Sequence, residues 1–111
     1  MLKTTTLRRP EIEKDVEQRL IKRCKEHGWY CRKFVSPGHR GVPDRIVGIK
    51  ASGPRKAKVW FIELKKPGEG LRPLQKAEHD EMLEQGMDVI VLSSRDEVDV
   101  WCAQMAEAAN A

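Results

Sequence analysis

An α/β domain with the order α-β-β-β-α-β-α is the fold class that the sequence predicts, and three observations predict it. Three segments carry apolar residues at helical spacing; four short runs between them are rich in β-branched and aromatic residues; and Pro, Gly or Ser marks most of the changes from one to the other. A chain of 111 residues has the common size of one folded unit, and halving it would leave each part too little core. Residues 1–111 are therefore read as one domain, with 1–9 as a flexible start and 108–111 as a tail.

The first helix is expected over Pro10–His27, where Ile12, Val16, Leu20, Ile21 and Cys24 form one apolar stripe, Pro10 suits the first turn and Gly28 stops the helix. Trp29–Val35 reads as a strand that ends at Ser36-Pro37-Gly38. Arg45–Ile49 is a second short strand, Ala51–Ala57 a hairpin-like turn, and Lys58–Leu64 a third strand, ended by Lys66-Pro67-Gly68. Pro73 opens a helix that Gly86 closes. The run from Asp88 to Ser93 is a fourth strand, apolar enough to be buried on both faces. Ser94, with Glu97 three residues on, predicts a capping box for a last helix striped by Val98, Trp101, Cys102 and Met105.

Hydrophobic content of 40% with 34% charged residues belongs to a folded globular chain rather than a disordered one. Neither an apolar signal segment nor a run of about 20 apolar residues is visible, so no membrane partner and a cytoplasmic location are expected. Cys24, Cys31 and Cys102 are odd in number and lack C-x-x-C spacing, which predicts free, partly buried thiols. Charge is lopsided: residues 1–60 hold 16 Lys and Arg against 6 Asp and Glu, whereas residues 61–111 hold 5 against 11. A basic half suits a polyanion, with nucleic acid the commonest choice, while a solvated basic helix is the plainer alternative. Aromatic content of 5% disfavours binding of single strands on a stacking platform.

Alternation along a strand puts Glu63 and Lys65 on one face and Ile62 and Leu64 on the other. An exposed edge with a weak ion pair would account for that pair taken alone. Asp44, however, stands just after Pro43 at the mouth of the second strand. If the second and third strands pair across the Ala51–Ala57 turn, Asp44, Glu63 and Lys65 meet at one corner of the sheet. Two carboxylates so close repel unless a cation lies between them, and hard oxygen ligands favour Mg²⁺ or Mn²⁺. Glu17 borders the buried stripe of the first helix and can look toward the same corner; Glu13, one turn earlier, is its rival.

Glu17, Pro43-Asp44 and Glu63-Leu64-Lys65, together with the phrases HRGVPDRIV, VWFIELKKPG and LRPLQKAEHDEM, resemble the small stand-alone VRR-NUC domains of the PD-(D/E)XK nuclease superfamily, which are often phage-encoded. The likeness runs from about Glu13 to Trp101. It implies a restriction-endonuclease-like core, a mixed central sheet flanked by helices, and metal-dependent hydrolysis of a phosphodiester. Asp44 and Glu63 would hold Mg²⁺ or Mn²⁺, with the Leu64 carbonyl as a further ligand and Glu17 on a second ion. Lys65 would orient or help deprotonate the attacking water. Gln75 matches the glutamine that follows the ExK strand, and would position that water or hold Lys65; a polar first-turn residue is the alternative. The similarity of stand-alone members to Holliday junction resolvases implies branched or junction DNA as partner, a homodimer, and the host cytoplasm if the chain is phage-encoded.

Arg40, and Lys33 just upstream, are candidates for gripping phosphate, and His39 is either a second basic contact, a general base or a solvated loop residue. His27 and His79 carry no assigned chemistry. Two other readings stand beside the nuclease: a nucleic-acid-binding module that keeps the fold without cutting, and a small interaction protein whose basic half meets an acidic partner.

Overall fold

A computed structural model describes residues 9–110. Its elements are α1 (Glu13–His27), β1 (Tyr30–Lys33), β2 (Arg45–Ile49), β3 (Lys58–Leu64), α2 (Pro73–Glu84), β4 (Asp88–Leu92) and α3 (Arg95–Glu107), which is the order the sequence predicts. The expected flexible start lies outside the described residues up to residue 8, as does residue 111. Ala108–Asn110 is not a loose tail but a 3-10 turn against the end of α3.

The four strands lie in the order β1-β2-β3-β4. β1 with β2 and β2 with β3 are antiparallel, whereas β3 and β4 are parallel, so the sheet is mixed. The parallel pair follows from its connection: α2 lies between β3 and β4 and carries the chain back to the starting end, as a crossover must. α1 and α3 cover one face. There Val16, Leu20, Val47, Ile62, Leu64, Val98 and Trp101 form a continuous core, each at most 4% exposed. Arg19 and Arg23 of α1 both bind Asp99 of α3 and tie the two helices together. α2 takes the opposite face and buries Gln75, His79 and Met82, one residue from each successive turn.

Several boundaries differ from expectation for local reasons. Helix α1 starts at Glu13 rather than Pro10, because Ile12 is extended and the Asp15 carboxylate accepts from the Ile12 amide at 2.9 Å, which closes the helix start there. Trp29 lies outside β1 because its amide is spent on the Cys24 carbonyl, capping α1 beside the left-handed Gly28. β4 is not buried on both faces: it is the sheet edge, and only Leu92 of its five residues is fully buried. Ser94 caps α3 as predicted, accepting from the Glu97 amide at 3.0 Å, but the Glu97 carboxylate reaches back to the Ser93 amide, one residue earlier than a capping box requires. Among the described residues no helix is long and apolar enough to cross a membrane, and Cys24, Cys31 and Cys102 are free thiols.

Leu20→Ala removes a side chain with no exposed surface and should cost about 2–5 kcal/mol in urea denaturation. Val59→Ala, at a position 50% exposed, should cost less than about 1 kcal/mol. Equal losses would place the core elsewhere.

Candidate active site

The pairing of β2 with β3 sets Arg45 opposite Ile62. One residue earlier, Asp44 therefore stands opposite Glu63, and cross-strand partners project to the same side. Two backbone demands hold Asp44 in place. Its carbonyl accepts from the Phe34 amide at 2.8 Å, and its Oδ2 accepts from the Leu64 amide at 2.9 Å. Successive strand amides point in opposite directions: that of Lys65 bonds to Leu92 on β4, and that of Leu64 faces the β2 side just where β2 begins. The Asp44 side chain thus stands in for the strand backbone, and this fixes its second oxygen near Glu63.

Glu63 and Lys65 are each 2% exposed, far from the weak edge pair that an isolated reading of them allowed. Lys65 Nζ lies 3.9 Å from Glu63 Oε2, an ion pair without a close hydrogen bond. Gln75 donates from Nε2 to the same Oε2 at 3.2 Å, while its Oε1 accepts from the Arg72 amide at 2.9 Å. One side chain therefore caps α2 and holds Glu63. Burial first, and the Asp44 carboxylate second, push the Glu63 carboxyl up to about 8. A carboxyl raised that far favours its protonated form at neutral pH.

His79, to which the sequence assigns no chemistry, is 3% exposed and brings Nε2 to 3.6 Å from Glu63 Oε1. That is too long for a hydrogen bond, and both atoms are buried without a partner. Burial also holds the imidazole below its ordinary pKa, hence neutral at neutral pH. The missed signal is spacing: His79 lies four residues after Gln75, on the same face of α2.

The first helix brings two acids toward this end of the sheet. Glu17 does not turn to the corner; Arg45, which projects to the α1 side of the sheet, binds its carboxylate at 3.1 Å. Glu13 is the acid that feels the site: partial burial and the neighbouring Asp44 raise its carboxyl, and Lys65 acts on it in the opposite sense. Arg45, one residue after Asp44 on the strand, thus engages Glu17, while Glu13 lies one turn earlier on the same helix. Lys33, paired with Arg45 in the β1–β2 register, is exposed on that same α1 side and away from Glu63. His39 binds Glu78 at 2.6 Å, which raises its pKa and makes it a tether between the loop and α2 instead of a free base. Arg40 is exposed beside the start of α2.

Among the described residues no three His, Cys, Asp or Glu side chains form a closed ligand set. What the corner offers is a pair of carboxylates with one unpartnered buried oxygen. That suits Mg²⁺ or Mn²⁺, which are hard cations content with one or two carboxylates while keeping several waters, and does not suit a fully caged zinc ion.

No family model matches the chain. "Putative nuclease p44" of Acyrthosiphon pisum secondary endosymbiont phage 1 is 42% identical over 84 residues, which span 76% of this chain and 85% of that protein. A solved structure described as "VRR_NUC domain" superposes with a TM-score of 0.72 at 27% identity, covering 82% of this chain and 94% of the other. The chain belongs to the VRR-NUC family of nucleases. The mixed sheet with flanking helices is the fold of that family, as the sequence implied.

A raised carboxyl pKa has a sign that can be tested. The unfolded chain releases the Glu63 proton near 4.5 and the folded one near 8, so rising pH between those values favours unfolding. In EDTA, Glu63→Gln should gain on the natural protein by more than about 1 kcal/mol between pH 5 and pH 8 in urea melts. A gap that stays constant with pH would contradict the raised Glu63 carboxyl.

Proposed function

We propose that the protein is a divalent-metal-dependent, structure-selective endodeoxyribonuclease of the Holliday-junction-resolvase kind, working as a homodimer in the host cytoplasm. The observation that carries the hydrolytic part is the half-buried Asp44 set opposite the buried Glu63, with the buried Lys65 on the same face. When held by these carboxylates, Mg²⁺ or Mn²⁺ supplies charge neutralisation at the phosphate and a bound water of lowered pKa. Lys65 presents its ammonium to the scissile phosphate and orients the attacking water. Gln75 keeps the Glu63 carboxylate from rotating, and Glu13 adds negative charge at the rim that favours cation uptake.

Selectivity for shape over sequence is supported by what the fold spends its elements on. Among the described residues each of the three α-helices buries one face in the fold, and none projects from it as a separate reading element for a major groove. Phosphate contacts and DNA shape are the remaining sources of selectivity. A two-fold homodimer would bring two such corners to equivalent strands of a junction.

Asp44→Ala, Glu63→Ala or Lys65→Ala should lower Mg²⁺-dependent cleavage of a labelled four-way junction by more than about a thousandfold, with DNA affinity changed only a few-fold. Either carboxylate variant cutting at the natural rate would reject the site. On a panel of junctions, flaps, nicked and linear duplexes, symmetric incision of the junction alone is the expected pattern, abolished by EDTA; equal cutting of linear duplex would reject structure selectivity, and binding without cutting would favour the non-cleaving module. Glu13→Gln should weaken cation binding in calorimetry more than Glu17→Gln, which should act mainly on stability through Arg45.

A further inference from the structure

Seven of the nine described arginines engage a carboxylate or a backbone carbonyl through the guanidinium. The two that engage none among the described residues, Arg40 and Arg72, line one and the same cleft, of about 650 Å³, between the residue 36–41 loop and the start of α2. No carboxylate lines it, so the cleft carries two positive charges and no negative one. Its remaining polar side chain is Gln75, whose Nε2 is 3.2 Å from Glu63. The cleft therefore opens directly beside the catalytic corner.

Nor is the loop carrying Arg40 loosely placed. His39 binds Glu78 of α2 at 2.6 Å, and Gly41, at φ +90°, runs so close to α2 that a Cβ there would collide with the Leu74 carbonyl. Both devices press the loop onto α2, so that Arg40 and Arg72 line the same cleft. Two arginines without a carboxylate partner, lining one cleft, supply the donor chemistry for a phosphate group, and the cleft's volume is in the usual range for a small ligand.

We propose that the cleft between Arg40 and Arg72 is a phosphate-binding subsite that grips the substrate strand next to the bond being cut. This rests on the nuclease reading for its purpose, but not for its binding chemistry. A phosphate held there places the neighbouring nucleotide linkage toward Gln75 and Glu63, so the subsite sets the register of the strand in the active site. The phosphate is either an internal diester or a terminal monoester.

The test is made in EDTA, where binding is read without cutting. Inorganic phosphate titrated into the protein should shift the amide resonances of Arg40, Gly41 and Leu74, and the shifts should vanish in Arg40→Ala/Arg72→Ala. For a fluorescein-labelled DNA strand the double variant should bind at least about tenfold more weakly, with the salt slope reduced by one to two, while Lys22→Ala on the exposed side of α1 loses the same kind of charge with less than about a twofold change. Loss of natural-protein affinity on removing a 5′-phosphate identifies the monoester; loss on replacing one internal phosphate by a neutral methylphosphonate identifies the diester. Phosphate shifts that persist in the double variant, or DNA affinity and salt slope equal to the natural protein's, overturn the subsite. A protein that binds phosphate and DNA in this way but never cleaves leaves the subsite standing and removes the nuclease reading.

Discussion

Two carboxylates set opposite each other across an antiparallel strand pair are ordinarily a defect, since like charges in that arrangement repel at close range. In this protein the opposition of Asp44 and Glu63 is built in by the β2–β3 register and cannot relax, because Asp44 is held through both its carbonyl and its side chain. The rest of the corner is arranged around that constraint. Lys65 compensates part of the charge, Gln75 fixes one oxygen of Glu63, and the raised Glu63 carboxyl reduces the negative charge further.

The layering of the fold explains why such an arrangement is tolerated. α1, α3 and the inner face of the sheet supply an apolar core that contains none of the site's charges. The second face is left to α2, whose buried stripe is mostly polar: Gln75 and His79 with Met82. Hydrophobic stability and chemical function thus occupy opposite faces of one strand, with Ile62 and Leu64 serving the first and Glu63 and Lys65 the second. Burial does different things on the two sides. It stabilises the aliphatic side chains by removing them from water, and it disfavours the charged form of Glu63, so that the carboxyl titrates where cation binding can compete with protons.

Much of this was legible in the sequence, for reasons of periodicity. A period of two in the third strand separates Glu63 and Lys65 from their apolar neighbours, and turn residues favour the hairpin that returns Asp44 to them, so the acid pair is legible in the pattern, whereas the mixed sheet comes from the family resemblance. Three things could not be read. The choice between Glu13 and Glu17 depends on where Arg45 points, a fact of cross-strand register rather than of helical spacing. Burial of His79 depends on which side of α2 meets the sheet, and the weak amphipathicity of that helix hides it: its buried stripe is polar and Leu74 and Leu83 are exposed. β4 is apolar in sequence yet lies at the sheet edge, because strand order is a property of the whole topology.

The account is tested most directly by where a divalent cation binds. Crystals of the protein soaked in Mn²⁺ should give an anomalous-scattering peak in contact with carboxylate oxygens of both Asp44 and Glu63, with Lys65 and Gln75 keeping the positions described above. A peak at some other acidic cluster, or none at a concentration that supports cleavage, would contradict the claim that this opposition of charge exists to hold a metal ion.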